Sequence, residues 1–197
     1  MEYGRIRDLI DIRGELQRNA DGGPGQRVSL AAKRGVVVHY AGPRADLARP
    51  VLEVLQSEAA YHCGKVWGWG PAGGRCTGMG LMYHLSIGPE GGKFLCRDIE
   101  AVLWHCGTWP KNAAALAVHV LIGGEQHVTV VQRRALYEVC EACIAAGHGT
   151  RAEVKGHQEL SPTSCPGTLN EALHREWVLD VLEHAGRAGA VRVSAGG

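Results

Sequence analysis

Apolar positions along this chain fall into short runs separated by glycine and proline. Gly35-Val36-Val37-Val38-His39 is a β-branched run after a glycine, the pattern of a buried strand, and it puts His39 at the strand's C-terminal end. From Pro50 onward, Val51, Leu55 and Ala59 recur every four residues and predict a helix over 50–62. Residues 81–87 alternate as a strand would, with Tyr83, Leu85 and Ile87 on one face. The turn Gly88-Pro89-Glu90-Gly91-Gly92 then returns residues 93–97 as a hairpin partner. Residues 115–122 are apolar throughout, as in a strand covered on both faces. A helix over 130–146 opens with Thr129 and Gln132 at capping-box spacing and stops at Gly147. Residues 153–157 read as a further strand ending at His157, and 158–168 as a polar loop with two prolines. A last helix spans 170–185, with Leu173, Trp177, Val181 and His184 along one side. Between the first helix and the second strand, residues 63–80 hold seven glycines with Trp67 and Trp69, and read as a long loop.

Strands interleaved with helices predict an α/β domain with helices on both faces of one sheet. The expected organisation is an N-terminal extension over 1–34 packing on the domain, a domain over 35–185, and a flexible Gly/Ala-rich tail over 186–197.

Composition narrows the function classes. The 197 residues fit one domain, and 45% hydrophobic with 21% charged residues suits a globular core. A net charge of +1 argues against a broad grip on nucleic acid, and the first 18 residues balance four arginines with four acids. No apolar run is long enough to insert in a membrane. The N-terminus lacks the apolar core of a signal peptide, so the expectation is a protein held in the cytoplasm of its host until released. Seven irregularly spaced cysteines in a chain without an export signal do not predict a complete disulfide framework, and individual pairs are left open. Cys140 and Cys143 sit on the helical stripe of Leu136 and Ile144, which favours buried small residues over a redox pair.

The densest chemistry lies in Gly156-His157-Gln158-Glu159-Leu160-Ser161-Pro162-Thr163-Ser164-Cys165-Pro166-Gly167. Imidazole and thiolate are both good zinc ligands, and a catalytic zinc takes three protein ligands with a fourth position left to water. His157 and Cys165 supply two. The third must come from elsewhere in the fold, and His39 is well placed for it. By spacing alone the metal signal is weak, and a surface histidine with a small buried cysteine is the better reading of the pair.

Taken together, four segments change that balance. Val36-Val37-Val38-His39-Tyr40-Ala41, Tyr83-His84-Leu85-Ser86-Ile87-Gly88-Pro89-Glu90-Gly91, Trp104-His105-Cys106-Gly107 and Gly156 through Gly167 occur in this order. The set resembles the type 2 N-acetylmuramoyl-L-alanine amidases, a family that includes phage endolysins and peptidoglycan recognition proteins. The resemblance implies a single domain with a central mixed β-sheet flanked by helices. It implies a Zn2+ cofactor on His39, His157 and Cys165, with Tyr83 and Thr163 as catalytic side chains and His105 and Trp104 lining the substrate groove. It further implies bacterial peptidoglycan as partner and cleavage of the amide between N-acetylmuramic acid and L-alanine, in an enzyme of endolysin type; the sequence does not give the oligomeric state, and a monomer is assumed. Two other readings share the fold: a binding-only recognition module, and a cytoplasmic amidase that recycles muropeptides. Non-catalytic relatives lose the cysteine ligand and recycling relatives usually carry aspartate there, so Cys165 favours the first reading.

Overall fold

A computed structural model describes residues 6–19, 26–69 and 75–176. Its centre is a six-stranded sheet of β1 (Leu9–Asp11), β2 (Gly35–Tyr40), β5 (Leu85–Ile87), β6 (Lys93–Leu95), β7 (Ala115–Val120) and β8 (Val154–Gly156). The strands lie in the order β1-β6-β5-β7-β2-β8. The β5–β6 hairpin is antiparallel and the other four pairs are parallel, so the sheet is mixed. A separate antiparallel hairpin joins β3 (Val66–Trp69) to β4 (Arg75–Thr77).

Strand alternation splits the core between the two faces. Val36, Val38, Leu85, Ile87, Leu116, Val118 and Val120 pack against Leu136, Val139, Cys140 and Cys143 of helix α3 (Val130–Ala145). On the opposite face, Leu55 and Ala59 of helix α1 (Val51–Gly64) pack with Leu81, Cys96 and Leu121. Each fully buried leucine of this kind contributes roughly 1.5–3 kcal/mol of transfer free energy, so the sheet is a stiff platform for whatever its strand ends carry. The capping box of α3 forms as its sequence predicts: the Gln132 N–H donates to Thr129 Oγ1 at 3.1 Å and the Thr129 N–H to Gln132 Oε1 at 3.2 Å. The helix stops at Gly147, whose φ of +88° suits a residue without Cβ.

The structure departs from the sequence reading at several points. The expected strand over 81–87 is ordered into the sheet only from Leu85. His84 explains the delay, because its imidazole Nδ1 accepts the Ala117 N–H at 2.9 Å, replacing a ladder carbonyl, while Nε2 meets the Ala101 carbonyl at 3.0 Å. Tyr83 therefore lies before the strand, not in its middle. It packs with the α1-side cluster, on the opposite face from Leu85 and Ile87. The long loop expected over 63–80 contains the end of α1 and the β3–β4 hairpin. Strand β7 ends at Val120, and His157 lies just past β8 in a 3-10 turn over His157–Glu159. Strand β1, which is three residues long, and helix α2 (Trp109–Ala114) were not anticipated either. The last helix begins as α4 (Leu169–Glu171) and widens into a π turn over Ala172–Glu176; Trp177, Val181 and His184 lie outside the described residues.

Candidate metal centre

Parallel strands β2 and β7 end together, with His39 and His119 in register. Both project to the α1 side, because Val38 and Val118, one residue earlier, face α3. This end of the sheet opens into a cleft of about 730 Å³. His39, Tyr83, Trp104, His157, Thr163 and Cys165 all line it.

His39 is 2% exposed and sits at the centre of the group. Its Nδ1 is 3.6 Å from Cys165 Sγ, and its ring centroid is 4.6 Å from that of His157. Ligand atoms of His39, His157 and Cys165 all lie within 4.8 Å of one another, close enough to surround one ion. Burial drives the His39 pKa well below its usual value, with His105 and His157 adding to the effect, and lowers that of His157 as well. Both imidazoles are thus held neutral, as metal ligands must be. Burial pushes the Cys165 thiol up to about 11, against a backbone N–H from Tyr40 at 3.4 Å. A buried thiol of that kind becomes a thiolate when a cation takes the proton's place. The donor set fits a soft-to-borderline divalent metal.

The loop that delivers Cys165 is tied to β8. A Cβ on Gly156 would lie 2.1 Å from Asn170 Oδ1 and 2.9 Å from the Pro166 ring. Gly156→Ala must therefore displace Pro166, and with it the neighbouring Cys165. The expected result is weaker metal retention in a folded protein, checked by metal content and melting temperature measured together. Unchanged metal affinity would show that the Cys165 loop is not braced through Gly156.

His105 stands on the other side of His39, with its Nδ1 3.0 Å from His39 Nε2 and 3.2 Å from Cys106 Sγ. His39, His105 and Cys106 form a second group able to hold a metal. Their surroundings differ from those of the first group: all three are buried, whereas His157 is half-buried in the cleft wall. The His105 segment is fixed from behind. Asn112 Oδ1 accepts the N–H groups of His105 and Cys106 at 3.1 and 2.6 Å. Lys33, wholly buried, donates to the carbonyls of Ala101, Asn112 and Ala115. Sequence reasoning passed over Lys33 and Asn112, because isolated polar residues carry no periodic signal.

Tyr83 completes the wall. Its ring stacks on His119 at 4.3 Å and lies 5.2 Å from His39. Burial raises its pKa, keeping the phenol protonated and able to donate. Thr163 is exposed, and its Oγ1 accepts the Cys165 N–H at 3.2 Å, which leaves its own hydroxyl hydrogen free to donate into the cleft. Trp67, read from sequence as part of a loop, belongs to β3; its Nε1 donates to the His62 carbonyl at 3.1 Å, and Lys65 Nζ lies 4.3 Å from its ring. Cys140 and Cys143 are buried and unbonded, as their helical stripe predicts.

A mixed sheet with His39 and His157 at the ends of parallel strands β2 and β8, and Cys165 on the loop beyond β8, defines a domain built around a candidate metal centre. Residues 29–168 match the model of the N-acetylmuramoyl-L-alanine amidase family, and the chain belongs to that family. No curated protein sequence matches it. Among solved structures, it resembles the endolysin N-acetylmuramoyl-L-alanine amidase LysCS from Clostridium intestinale, with a TM-score of 0.55 and 18% identity over 82% of this chain and 88% of that one. It also resembles drosophila peptidoglycan recognition protein SD, with a TM-score of 0.63 and 18% identity over 86% and 94%. Human PGRP-IBETAC, solved with a glycosamyl muramyl pentapeptide, matches with a TM-score of 0.61 and 12% identity over 82% and 90%. At these identities the structural likeness establishes the fold.

Proposed function

We propose that this chain is a zinc-dependent N-acetylmuramoyl-L-alanine amidase of endolysin type, which cuts the amide between the lactyl group of N-acetylmuramic acid and the first L-alanine of the stem peptide. The observation that carries the reading is the convergence of His39, His157 and Cys165 on one cleft wall beside Tyr83, in a chain of the amidase family. A zinc ion held there supplies Lewis acidity at the scissile carbonyl and lowers the pKa of water. The chain's own groups do the rest. Tyr83, clamped between His119 and His39, offers a hydroxyl to the carbonyl oxygen as it gains negative charge, and Thr163 offers a second from the opposite loop. Trp104 and His105 form part of the groove wall against which the substrate lies. Arg44, Arg49 and Lys65 line the same cleft and give it cations for stem-peptide carboxylates. A complete ligand set favours catalysis over binding alone.

The direct test is incubation of zinc-loaded protein with a soluble N-acetylmuramoyl peptide. Release of free peptide and N-acetylmuramic acid is expected. Binding without release would make the chain a recognition module.

The proposed ligand set has a rival in His39, His105 and Cys106, and metal content separates them. His105→Ala is expected to keep its zinc and lose turnover through poorer substrate placement, whereas His157→Ala loses the ion. The reverse pattern would move the metal to the buried group.

A further inference from the structure

The cleft contains a carboxylate that the amidase reading leaves without a role. Glu58 belongs to α1 and falls on its inward stripe with Leu55, Ala59 and His62, all of them buried. A carboxylate on such a stripe is normally paired, because burial without a partner costs several kcal/mol. Glu58 has no such partner. Its side chain is 20% exposed, and it lines the cleft. Its Oε2 is fully buried without a hydrogen bond. The near neighbour is His119 Nδ1 at 3.7 Å, beyond hydrogen-bond reach, and that nitrogen lies 3.3 Å from Ser86 Oγ. His119 Nε2 is likewise buried and unbonded. Tyr83 stacks on the same imidazole. The carboxyl thus neighbours the imidazole, the phenol stacks on that imidazole, and the phenol ring lies 5.2 Å from His39. Buried polar atoms without partners are rare in folded proteins, and an unpaired carboxyl on a residue that lines a cleft points to proton transfer there.

We propose that Glu58 is the acid–base group of this cleft, taking a proton from the attacking water and delivering it to the leaving amide nitrogen. The proposal rests on the amidase reading. As the water oxygen bonds to the carbonyl carbon, one of its protons passes to Glu58. As the C–N bond breaks, its electron pair stays on nitrogen and Glu58 returns the proton there. The products are a carboxylic acid and a free amine, and Glu58 ends as it began. The division of labour follows from position: Tyr83 is a donor held protonated, and cannot accept the water's proton. Burial pushes the Glu58 carboxyl up to about 8, so it both accepts and releases a proton near neutral pH.

Glu58→Gln keeps the shape of the side chain and removes the titrating group. In zinc-loaded protein acting on a muramoyl peptide, kcat is expected to fall by roughly 10²–10⁴-fold with KM nearly unchanged. Zinc content should hold, and the melting temperature should stay level or rise, because an unpaired buried acid has been neutralised. Glu58→Asp, which retains the carboxyl one methylene further back, should keep more kcat than the glutamine variant. Wild-type kcat in Glu58→Gln, or equal losses in both variants, would overturn the assignment. So would a loss that tracks zinc content or melting temperature. An inactive wild type would instead overturn the amidase reading, and this inference with it.

Discussion

Cys165→Ser protein is expected to hold zinc more than about 100-fold more weakly than wild type, and to lose amide hydrolysis with the ion. Removing a hydrogen bond that merely supports a ligand weakens a metal by about 10- to 100-fold, and Cys165 is proposed to bind directly. Serine is nearly isosteric with cysteine but brings a neutral hydroxyl where a thiolate stood. Its hydroxyl has no counterpart to the metal-assisted loss of a proton that the proposed role of the buried Cys165 thiol requires. Position alone does not rescue the variant, since His39 and His157 then supply two neutral ligands and no charge to a dication. Zinc per chain after dialysis against a calibrated chelator is the measurement. Retention equal to wild type would remove Cys165 from the centre and turn attention to Cys106, which lies 3.2 Å from His105 Nδ1 on the far side of His39.

Tyr83→Phe is expected to lose roughly 100- to 1000-fold in turnover, or about 2.7–4 kcal/mol of transition-state stabilisation, as when one oxyanion donor is removed. The ring is held by stacking on His119, by the edge of His62 and by the tilted ring of His39, and phenylalanine keeps all of these contacts. Fold and zinc content should therefore be close to wild type, which isolates the hydroxyl. The loss should appear in kcat rather than KM, because the donor meets an oxygen whose charge develops only in the transition state. Wild-type kcat would show the hydroxyl to be a bystander. Lost zinc would place Tyr83 among the ligands.

The sequence disclosed the parts of this protein that repeat or that carry unusual residue types. The apolar runs behind β2 and β7 and the capped helix α3 were legible because each has a period and a boundary signal. Ordered motifs named His39, His157 and Cys165 before any geometry, and the fold gathers them within 4.8 Å. What stayed hidden depends on long-range pairing. Strand β1 has three residues and exists because β6, some 84 positions later, offers an edge. The β3–β4 hairpin lies in a segment whose seven glycines look like a loop to any local rule. Tyr83 was assigned to the wrong face because the alternation rule was carried two residues past the real start of β5, where the His84 side chain stands in for the ladder. Glu58 was silent for a related reason. A single acid within a helix reads as a solvated position until the sheet shows which stripe faces inward.

In the proposed function, this cleft cuts the muramoyl–alanine amide with a metal held by His39, His157 and Cys165. The measurement closest to it is digestion of purified peptidoglycan by zinc-loaded and by metal-stripped protein, with the products identified by mass and by their new end groups. New L-alanine amino termini and free lactyl carboxyls are expected with the loaded protein, none with the stripped protein, and recovery when zinc is returned. New reducing sugar ends without L-alanine termini, or equal digestion by the metal-stripped protein, would contradict the proposed function.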